Sequence, residues 1–272
     1  MGHYKTSIYC HMFNVASPQC NFDYRAAVQN FAQFADEVVC ATFPCEDKSE
    51  ELLLALQDEF KNFRVIITDI SPKNHVRWDG LLKTAALQAT TNPVKIIMDG
   101  DERIPLSNKP MWDLMATLFM ETGQNIDGVF IPSLDCWGDP KKIRVAVNIG
   151  QKFRMHKDTI KSRGVVPWAE NGDGTWDATK SDNTEPLRED GSLGLFGQVV
   201  PSHLLNPVFS PGLSRFPYVL HYGYVSLEAR IKLNKIFWKD TWASYSGHEE
   251  NVATELAELE KEPTIEHGLP LE

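Results

Sequence analysis

The sequence is poor in several features that would assign it to a common class. It has five cysteines, and they do not form a zinc-binding pattern. Four residues separate Cys40 from Cys45, but no histidines follow at a matching spacing. It has no apolar signal core near its N-terminus and no apolar stretch of membrane-spanning length. It also has no internal repeats. We therefore expect a cytoplasmic protein with buried, reduced thiols and no membrane span.

Positive charge is scarce as well, because the formal net charge at pH 7 is -10. Much of this excess is local: residues 248–272 contain eight Glu and one Lys. A nucleic-acid partner would favour an excess of Lys and Arg, so we expect none. The length of 272 residues and the 42% hydrophobic content predict one large domain, or one domain with an appendage. The sequence leaves the oligomeric state open.

The most informative segment is a short apolar run that ends in three acids. Residues 94–98 are long enough for a buried strand and too short for a helix, and Asp99, Asp101 and Glu102 follow directly. Open α/β sheets bind ligands at the carboxyl ends of their strands. Carboxylates that flank a glycine can hold a hard divalent cation, which keeps open positions for phosphate oxygens. A tight Asp-Gly turn is the alternative for an isolated triplet. A calcium-binding EF-hand loop is disfavoured. Counted from Asp99, its sixth position would be Ile104 where such a loop has Gly, and its twelfth would be Pro110 where it has Glu.

Strand and helix patterns alternate through the first half of the chain. Apolar spacing and β-forming residues predict strands at 6–12, 37–43, 63–68, 94–98 and 128–132. Helices are expected at 23–35, after Ser49 as an N-cap, at 78–89, and after Ser107 as an N-cap. This alternation predicts a mostly parallel sheet with helices on both faces.

The second half has a different pattern. Residues 143–149 and 152–156 suggest a hairpin, 224–245 and 252–259 suggest helices, and a tail follows. The polar, glycine-rich segment 171–197 is expected to be a lid or binding loop. We predict three regions: 1–135, a mixed half at 136–223, and C-terminal helices with an acidic tail at 224–272.

Three segments, in order, resemble glycosyltransferase family two, which has the Rossmann-like GT-A fold. Residues 9–14 (Tyr-Cys-His-Met-Phe-Asn) resemble its first strand, which ends in a polar pocket. Residues 78–84 (Trp-Asp-Gly-Leu-Leu-Lys-Thr) are similar to its Trp-x-x-Asp-Phe-x-x-Ala-Arg-Asn helix, with Lys83 at the arginine position. Residues 98–102 (Met-Asp-Gly-Asp-Glu) resemble its Leu-Asp-Ala-Asp-Glu motif. The sequence departs at Thr84, which replaces Asn, and at residues 42–47, which replace an acid followed by Gly-Ser-x-Asp.

The resemblance implies a nucleoside-diphosphate sugar donor, a carbohydrate or other hydroxyl acceptor, and Mn²⁺ or Mg²⁺ as cofactor. Residues 1–135 would be the donor-binding half and 136–223 the acceptor half. Asp101 would bind the metal directly, and Asp99 would face the ribose and the metal's water shell. The nucleotide-sugar site would comprise Phe13, Asn14, Asp47, Asp69, Asp79, Lys83, Asp99 and Gly100, and the metal site Asp99, Asp101 and His221.

Each of these assignments has a plainer structural alternative. Lys83 could neutralise the diphosphate or lie on a solvated helix face. Asp69 could contact the base or belong to a turn, and Phe13 could be ordinary core. His221 could reach the metal, as a late histidine does in many GT-A enzymes, or could be a structural histidine.

An inverting transfer needs a general base beside the acceptor, and Glu170 is our candidate because Trp168 offers a platform for a sugar ring. The competing acids are Asp135, Asp173, Asp182 and Glu185. Lys152 and Arg154 share one strand face, which could serve an anionic ligand or be a plain exposed face.

Two other functions are alternatives to a glycosyltransferase. One is a sugar-phosphate nucleotidyltransferase, although no Gly-rich phosphate loop follows the first strand. The other is a non-catalytic carbohydrate-binding relative.

Overall fold

Eleven strands and six α-helices form the computed structural model, which describes residues 4–17, 20, 22–71, 78–122, 126–145, 148–157, 196–233 and 252–271. The strands are β1 (Thr6–His11), β2 (Glu37–Thr42), β3 (Phe63–Ile67), β4 (Val94–Ile97), β5 (Glu102–Arg103), β6 (Gly128–Trp137), β7 (Lys142–Arg144), β8 (Gly150–Lys157), β9 (Phe196–Gln198), β10 (Val219–Tyr224) and β11 (Thr264–Glu266). The helices are α1 (Tyr24–Phe34), α2 (Ser49–Glu59), α3 (Trp78–Gln88), α4 (Lys109–Thr122), α5 (Leu227–Leu233) and α6 (Val252–Leu259), with 3-10 helices at Leu106–Asn108, Ser202–Leu205 and Pro207–Arg215.

The first four strands are parallel and lie in the order β3-β2-β1-β4. β8 then pairs antiparallel with both β4 and β6. The strands β4 and β6 therefore have the same direction and are separated by β8. On the other edge of β6, β9 and β10 are parallel to it, and β10 is antiparallel to the short β5. This mostly parallel sheet with an inserted antiparallel strand is GT-A-like, which confirms the predicted fold class.

Helices cover both faces of the sheet, as predicted. Along β1, Ile8 and Cys10 point to one buried cluster and Tyr9 points to the other, because successive side chains of a strand face opposite ways. The first cluster is covered by α1, α2 and α4, and the second by α3 through Trp78 and Leu82. α1 begins where Asp23, its N-cap, accepts a hydrogen bond from the Ala26 N–H at 3.0 Å.

Two predicted helix caps are wrong. Ser49 is the first residue of α2, and the N-cap is Lys48 in a left-handed conformation. The Ser49 hydroxyl instead donates to Asp47 and accepts the Val15 N–H, which ties α2 to the loop after β1. Ser107 lies inside the 3-10 helix that precedes α4.

The second half contains the other corrections. The predicted hairpin does not form, because β7 and β8 both pair with β6 and not with each other. The helix predicted from residue 224 begins at Leu227, since Tyr224 still belongs to β10, and residues 234–251 lie outside the described part. The tail adds β11 to the sheet beside β7. Of the predicted loop, 171–195 lies outside the described residues and 196–197 belong to β9. Among the described helices, none has the length and apolar character to cross a membrane.

Candidate active site

The acid segment forms a turn between β4 and β5, closed by the Glu102 N–H donating to the Asp99 carbonyl at 3.1 Å. β10 lies alongside, where His221 is the register partner of Glu102 and the Tyr222 N–H donates to the Asp101 carbonyl at 2.7 Å. This pairing brings residues 120 positions apart into contact. The three acids consequently point into two different side-chain clusters.

The first group, which we name the Glu102 cluster, consists of Asp99, Glu102, Lys83, Lys152 and Arg154. Glu102 is fully buried and pairs with the buried Arg154 from β8, while the Lys152 Nζ lies 3.3 Å from Glu102. The Lys83 Nζ, on α3, lies 2.7 Å from Asp99 Oδ1. Burial by itself would raise the pKa of Asp99, but Lys83, Lys152 and Arg154 outweigh it and hold that pKa well below its usual range. These contacts fasten α3, β4 and β8 together.

The second group, the His221 cluster, consists of Asp101, Asp135, His221 and Arg230. His221 Nε2 lies 3.0 Å from Asp101 Oδ2, and its Nδ1 lies 2.6 Å from Asp135 Oδ1. Burial alone would lower the pKa of His221, but the Asp101 carboxylate outweighs it and raises the pKa to about 10. Burial alone would raise the pKa of Asp101 and of Asp135, but the contact with His221 outweighs it and lowers both. The imidazole is therefore a cation at neutral pH in this arrangement.

Two glycines shape the space around these acids. A Cβ placed on Gly223 would lie 2.6 Å from His221 Nε2 and 2.7 Å from Asp101 Oδ2, closer than real Cβ contacts come. A Cβ on Gly100 would lie 2.8 Å from the ring of Phe22. Gly223 thus leaves room directly over the facing donor atoms of Asp101 and His221, and Gly100 allows the acid turn to pack against the core.

The donor set suits a divalent cation. Carboxylate oxygen and imidazole nitrogen are both ligands for Mn²⁺, and Asp101 and His221 present one of each under the space left by Gly223. Within the described ranges, no group of three or more His, Cys, Asp or Glu side chains forms a metal site by itself. Two protein ligands plus water and phosphate oxygens would be a usual arrangement for such ions.

The two clusters together carry more positive than negative charge. The four carboxylates of Asp99, Asp101, Glu102 and Asp135 face Lys83, Lys152, Arg154 and Arg230, and His221 adds its own proton. This surplus occurs in a chain whose formal net charge is -10. A site of this charge can accept an anionic ligand such as a diphosphate.

The structure brings together Lys83, Asp99, Gly100, Asp101 and His221 from the predicted set. Lys83 is only 8% exposed, so the alternative of a solvated helix face is wrong. For Arg154, which is 2% exposed, the alternative of a plain exposed strand face is also wrong, whereas the Lys152 side chain is 41% exposed.

The other predicted residues lie apart from these two clusters or outside the described residues. Phe13 packs in an aromatic group with Phe43 at 5.3 Å and Trp78 at 4.9 Å between ring centroids. Asn14 has a left-handed φ of 50°. Asp47 accepts the Ala16 N–H at 3.0 Å, and Asp69 is exposed after β3, three strands from β4. Asp79 belongs to α3, but its side chain is outside the described part, as is all of Glu170.

Sequence reasoning gave no role to three residues that the fold places here. Glu102 was visible as the third acid of the motif, and its burial follows only from the pairing of β8 with β4. Gly223 lies two residues after His221, where a strand glycine is a weak sign of close approach. Arg230, on α5, had no sequence signal that linked it to Asp101.

Comparison with protein-family models and with curated proteins finds no match for this chain. Solved structures do align with it. A mannosyltransferase from Pyrobaculum calidifontis in complex with GDP-Man and Mn²⁺ is 12% identical over 94% of this chain and 79% of its own, with a TM-score of 0.45. Glucosyl-3-phosphoglycerate synthase from Mycobacterium tuberculosis, in complex with Mn²⁺, UDP-glucose and phosphoglyceric acid, is 19% identical over 48% of this chain and 44% of its own, with a TM-score of 0.33.

A third solved structure, 4-diphosphocytidyl-2C-methyl-D-erythritol synthase from Anaerococcus prevotii, is 8% identical over 57% of this chain and 71% of its own, with a TM-score of 0.36. The chain spans less than half the length of the synthase from Mycobacterium tuberculosis. All three TM-scores are below 0.5 and all identities below 20%, a level at which neither substrate nor reaction transfers between proteins.

Proposed function

We propose that this chain is a metal-dependent glycosyltransferase that moves a sugar from a nucleoside-diphosphate sugar to a hydroxyl acceptor. One observation carries the proposal: Asp101 and His221 face each other at 3.0 Å under the space left by Gly223, beside a cluster with surplus positive charge. Metal ligands and cations side by side are what a leaving diphosphate requires. In this proposal, 1–135 is the donor half, 136–223 includes the acceptor side, and 224–272 is the C-terminal region.

Asp101 and His221 Nε2 would hold Mn²⁺ or Mg²⁺. When bound, the metal acts as a Lewis acid that neutralises charge on the departing diphosphate. His221 must first lose the proton that its raised pKa retains. Asp135, at 2.6 Å from Nδ1, holds the ring so that Nε2 points at Asp101. Asp99, whose Oδ1 lies 2.7 Å from the Lys83 Nζ, would complete the metal site by facing the ribose and the metal's water shell.

The donor's other groups would meet side chains that are already in place. Lys152, whose side chain is 41% exposed, is the cation of the Glu102 cluster best able to reach a phosphate oxygen. The aromatic group around Phe13 lies at the end of β1 and would offer a stacking surface for the nucleobase. The proposed donor site also includes the remaining predicted residues, which are Asn14, Asp47, Asp69, Asp79 and Gly100.

The acceptor hydroxyl needs a general base, and we keep Glu170 in this role, with inversion at the anomeric carbon. Asp135 is a poorer candidate, because His221 already holds its carboxylate. Glu170→Gln should reduce transfer by about 10²–10⁴-fold and leave donor affinity unchanged. Turnover and donor binding should be measured on the same sample, beside Asp173→Asn, Asp182→Asn and Glu185→Gln. Normal turnover in Glu170→Gln with loss in another variant would move the base to that residue.

The test of the overall function is release of nucleoside diphosphate from a panel of nucleoside-diphosphate sugars, with Mn²⁺ and with chelator. A donor at a hundredfold over its Kd should add about 2.7 kcal/mol to the free energy of unfolding, which identifies the right sugar before any acceptor is known. We expect metal-dependent release with that donor. Formation of pyrophosphate from a nucleoside triphosphate and a sugar phosphate would indicate the nucleotidyltransferase instead. Binding of carbohydrate without turnover of any donor would indicate the non-catalytic alternative.

A further inference from the structure

The turn of residues 99–102 contains a glycine directly before Asp101. A side chain at Gly100 would crowd the core, because a Cβ there would lie 2.8 Å from the Phe22 ring. A glycine leaves the neighbouring peptide planes freer to rotate than any other residue does. The plane between Gly100 and Asp101 defines the φ angle of Asp101 and so helps to determine where its carboxylate points. This direction therefore depends on contacts from outside the glycine.

Arg103, the residue that follows the turn, supplies such contacts. Its Nη1 donates to the Gly100 carbonyl at 3.0 Å and to the Glu102 carbonyl at 2.7 Å, on either side of Asp101. The Asp101 carbonyl accepts the Tyr222 N–H from β10 at 2.7 Å. The peptide plane before Asp101 is thus held by Arg103, and the plane after it is held by β10. Since these two planes define φ and ψ, the direction of the Cα–Cβ bond of Asp101 is fixed.

The guanidinium of Arg103 is itself anchored beyond the turn. Its Nη2 donates at 2.6 Å to the carbonyl of Asp23, the N-cap of α1, and its central carbon lies 5.8 Å from the centre of the Tyr222 ring. A guanidinium presents its N–H donors in a rigid planar fork, so one side chain can hold three carbonyls in fixed relative positions. The single ammonium of a lysine has no such fork.

We propose that Arg103 is a positioning residue that holds the Asp101 carboxylate ready for a divalent cation, an inference that rests on the proposed function. Because Arg103 acts on main-chain carbonyls, it orders Asp101 without occupying its carboxylate. Without this anchor the turn would sample other directions, and a metal would have to order it again on binding. Loss of a residue that supports a metal ligand typically lowers affinity by about 10- to 100-fold.

Two substitutions separate the fork of Arg103 from its charge. Arg103→Lys keeps the charge but cannot hold the three carbonyls, whereas Arg103→Met removes both. If positioning is the role, both variants should bind Mn²⁺ about tenfold more weakly than wild type. If only the positive charge mattered, Arg103→Lys would behave as wild type.

Asn30→Ala is the matched control, because Asn30 anchors the next residue of the same segment. Its side chain donates to the Ile104 carbonyl at 2.8 Å and accepts the Ile104 N–H at 2.9 Å. The substitution therefore removes two main-chain hydrogen bonds beyond Arg103 and none beside Asp101. We expect it to lower the free energy of unfolding and to leave the Mn²⁺ affinity close to that of wild type.

The experiment combines calorimetric Mn²⁺ titration and urea denaturation of the full chain with amide hydrogen exchange of the metal-free proteins. The Tyr222 amide reports on the turn, since it donates to the Asp101 carbonyl. Its exchange should become faster in both Arg103 variants and stay slow in Asn30→Ala. Arg103→Lys is sufficient for the test if Arg103→Met does not fold.

The outcomes separate this inference from the proposed function. If wild type binds Mn²⁺ and Arg103→Lys matches it, the positioning role is wrong and the proposed function stands. The same conclusion follows if Asn30→Ala loses as much affinity as the Arg103 variants, or if exchange at Tyr222 is unchanged in them. If wild type binds no Mn²⁺, the proposed function and the metal role of Arg103 both fail, even where exchange shows that Arg103 holds the turn.

Discussion

The Glu102 and His221 clusters begin within the same four-residue turn, yet their chemistry differs. In the Glu102 cluster the principal cation is Arg154, which is 2% exposed and is fixed against the fully buried Glu102. In the His221 cluster the corresponding cation is an imidazolium, which can exchange its proton for a metal. The first arrangement is permanent and the second is exchangeable. Neighbouring acids in one motif therefore have separate roles: Glu102 holds strands together, and Asp101 is available to a ligand.

The largest expected effect is on stability, from Glu102→Gln. This change leaves Arg154 buried without its carboxylate partner, which should lower the free energy of unfolding by about 3–5 kcal/mol. Urea denaturation measures it. Glu59→Gln is the matched control, because Glu59 pairs with Arg25 at 2.6 Å on the exposed surface. There we expect little or no measurable change, because exposed ion pairs contribute little to stability. Equal losses in the two variants would remove the distinction between a fixed buried pair and a surface pair.

Asp101→Asn should affect metal binding strongly and stability only modestly, the reverse of Glu102→Gln. We expect Mn²⁺ affinity to fall by more than about a hundredfold. Loss of a residue that only supports a ligand costs about 10- to 100-fold, and loss of a direct ligand should cost more. The free energy of unfolding should fall by only about 1–3 kcal/mol, since His221 can give up its proton and keeps Asp135. Calorimetric Mn²⁺ titration and urea denaturation on one sample test both parts. Unchanged Mn²⁺ affinity would place the metal elsewhere.

Asp135 should act on the metal through His221. Asp135→Ala removes the acceptor for the Nδ1 proton and should weaken Mn²⁺ binding by about 10- to 100-fold. Asp135→Asn retains an acceptor oxygen and should lose less. The same titrations, run beside transfer assays, distinguish this role from catalysis. Full Mn²⁺ affinity together with loss of transfer in both variants would make Asp135 the general base instead.

The final expected effect is the dependence of metal binding on pH, taken one pH unit at a time. The pKa of His221 is raised to about 10, so below that pH each metal ion must displace one proton. The apparent Mn²⁺ affinity should rise about tenfold per pH unit between pH 6 and 8. For the metal-free protein the sign is opposite: the stability from His221 is complete below its unfolded pKa and is lost as the pH rises toward 10. A flat Mn²⁺ profile would mean that His221 is not a ligand.

The two halves of the chain differ in how far the sequence predicts them. In residues 4–122 the bounds of β1, α1, β2 and α3 follow the apolar periodicity to within about two residues. Each of these elements buries a face whose apolar residues recur at the period of its own secondary structure, so the local pattern reflects the tertiary environment. The N-cap predicted at Ser49 was wrong for a tertiary reason. Its hydroxyl donates to Asp47 and accepts the Val15 N–H, a contact with a distant loop that the local sequence does not reveal.

In the second half only the strands near 143–149 and 152–156 were predicted, whereas β9, β10 and β11 were not, and the predicted pairing was wrong. β8 lies between β4 and β6 and is distant in sequence from β4, and β10 lies between β5 and β6 and is distant in sequence from both. Strand pairing over such separations depends on which edges the first half leaves open, which no local window contains. The site has the same limit: Asp101 was predicted from its motif, Arg154 was suggested only as part of a strand face that could serve an anionic ligand, and Arg230 was not suggested at all.

The sequence by itself determined that acids end a buried strand and that helices alternate with parallel strands, because residue type and period are local properties. The tertiary structure alone decided which cation meets which acid. β8 carries Arg154 to Glu102, and β10 carries His221 to Asp101. Since a carboxylate's pKa and its freedom to bind a ligand depend on the charges within a few Å, the roles of these neighbouring acids became distinct only when the distant strands joined the sheet.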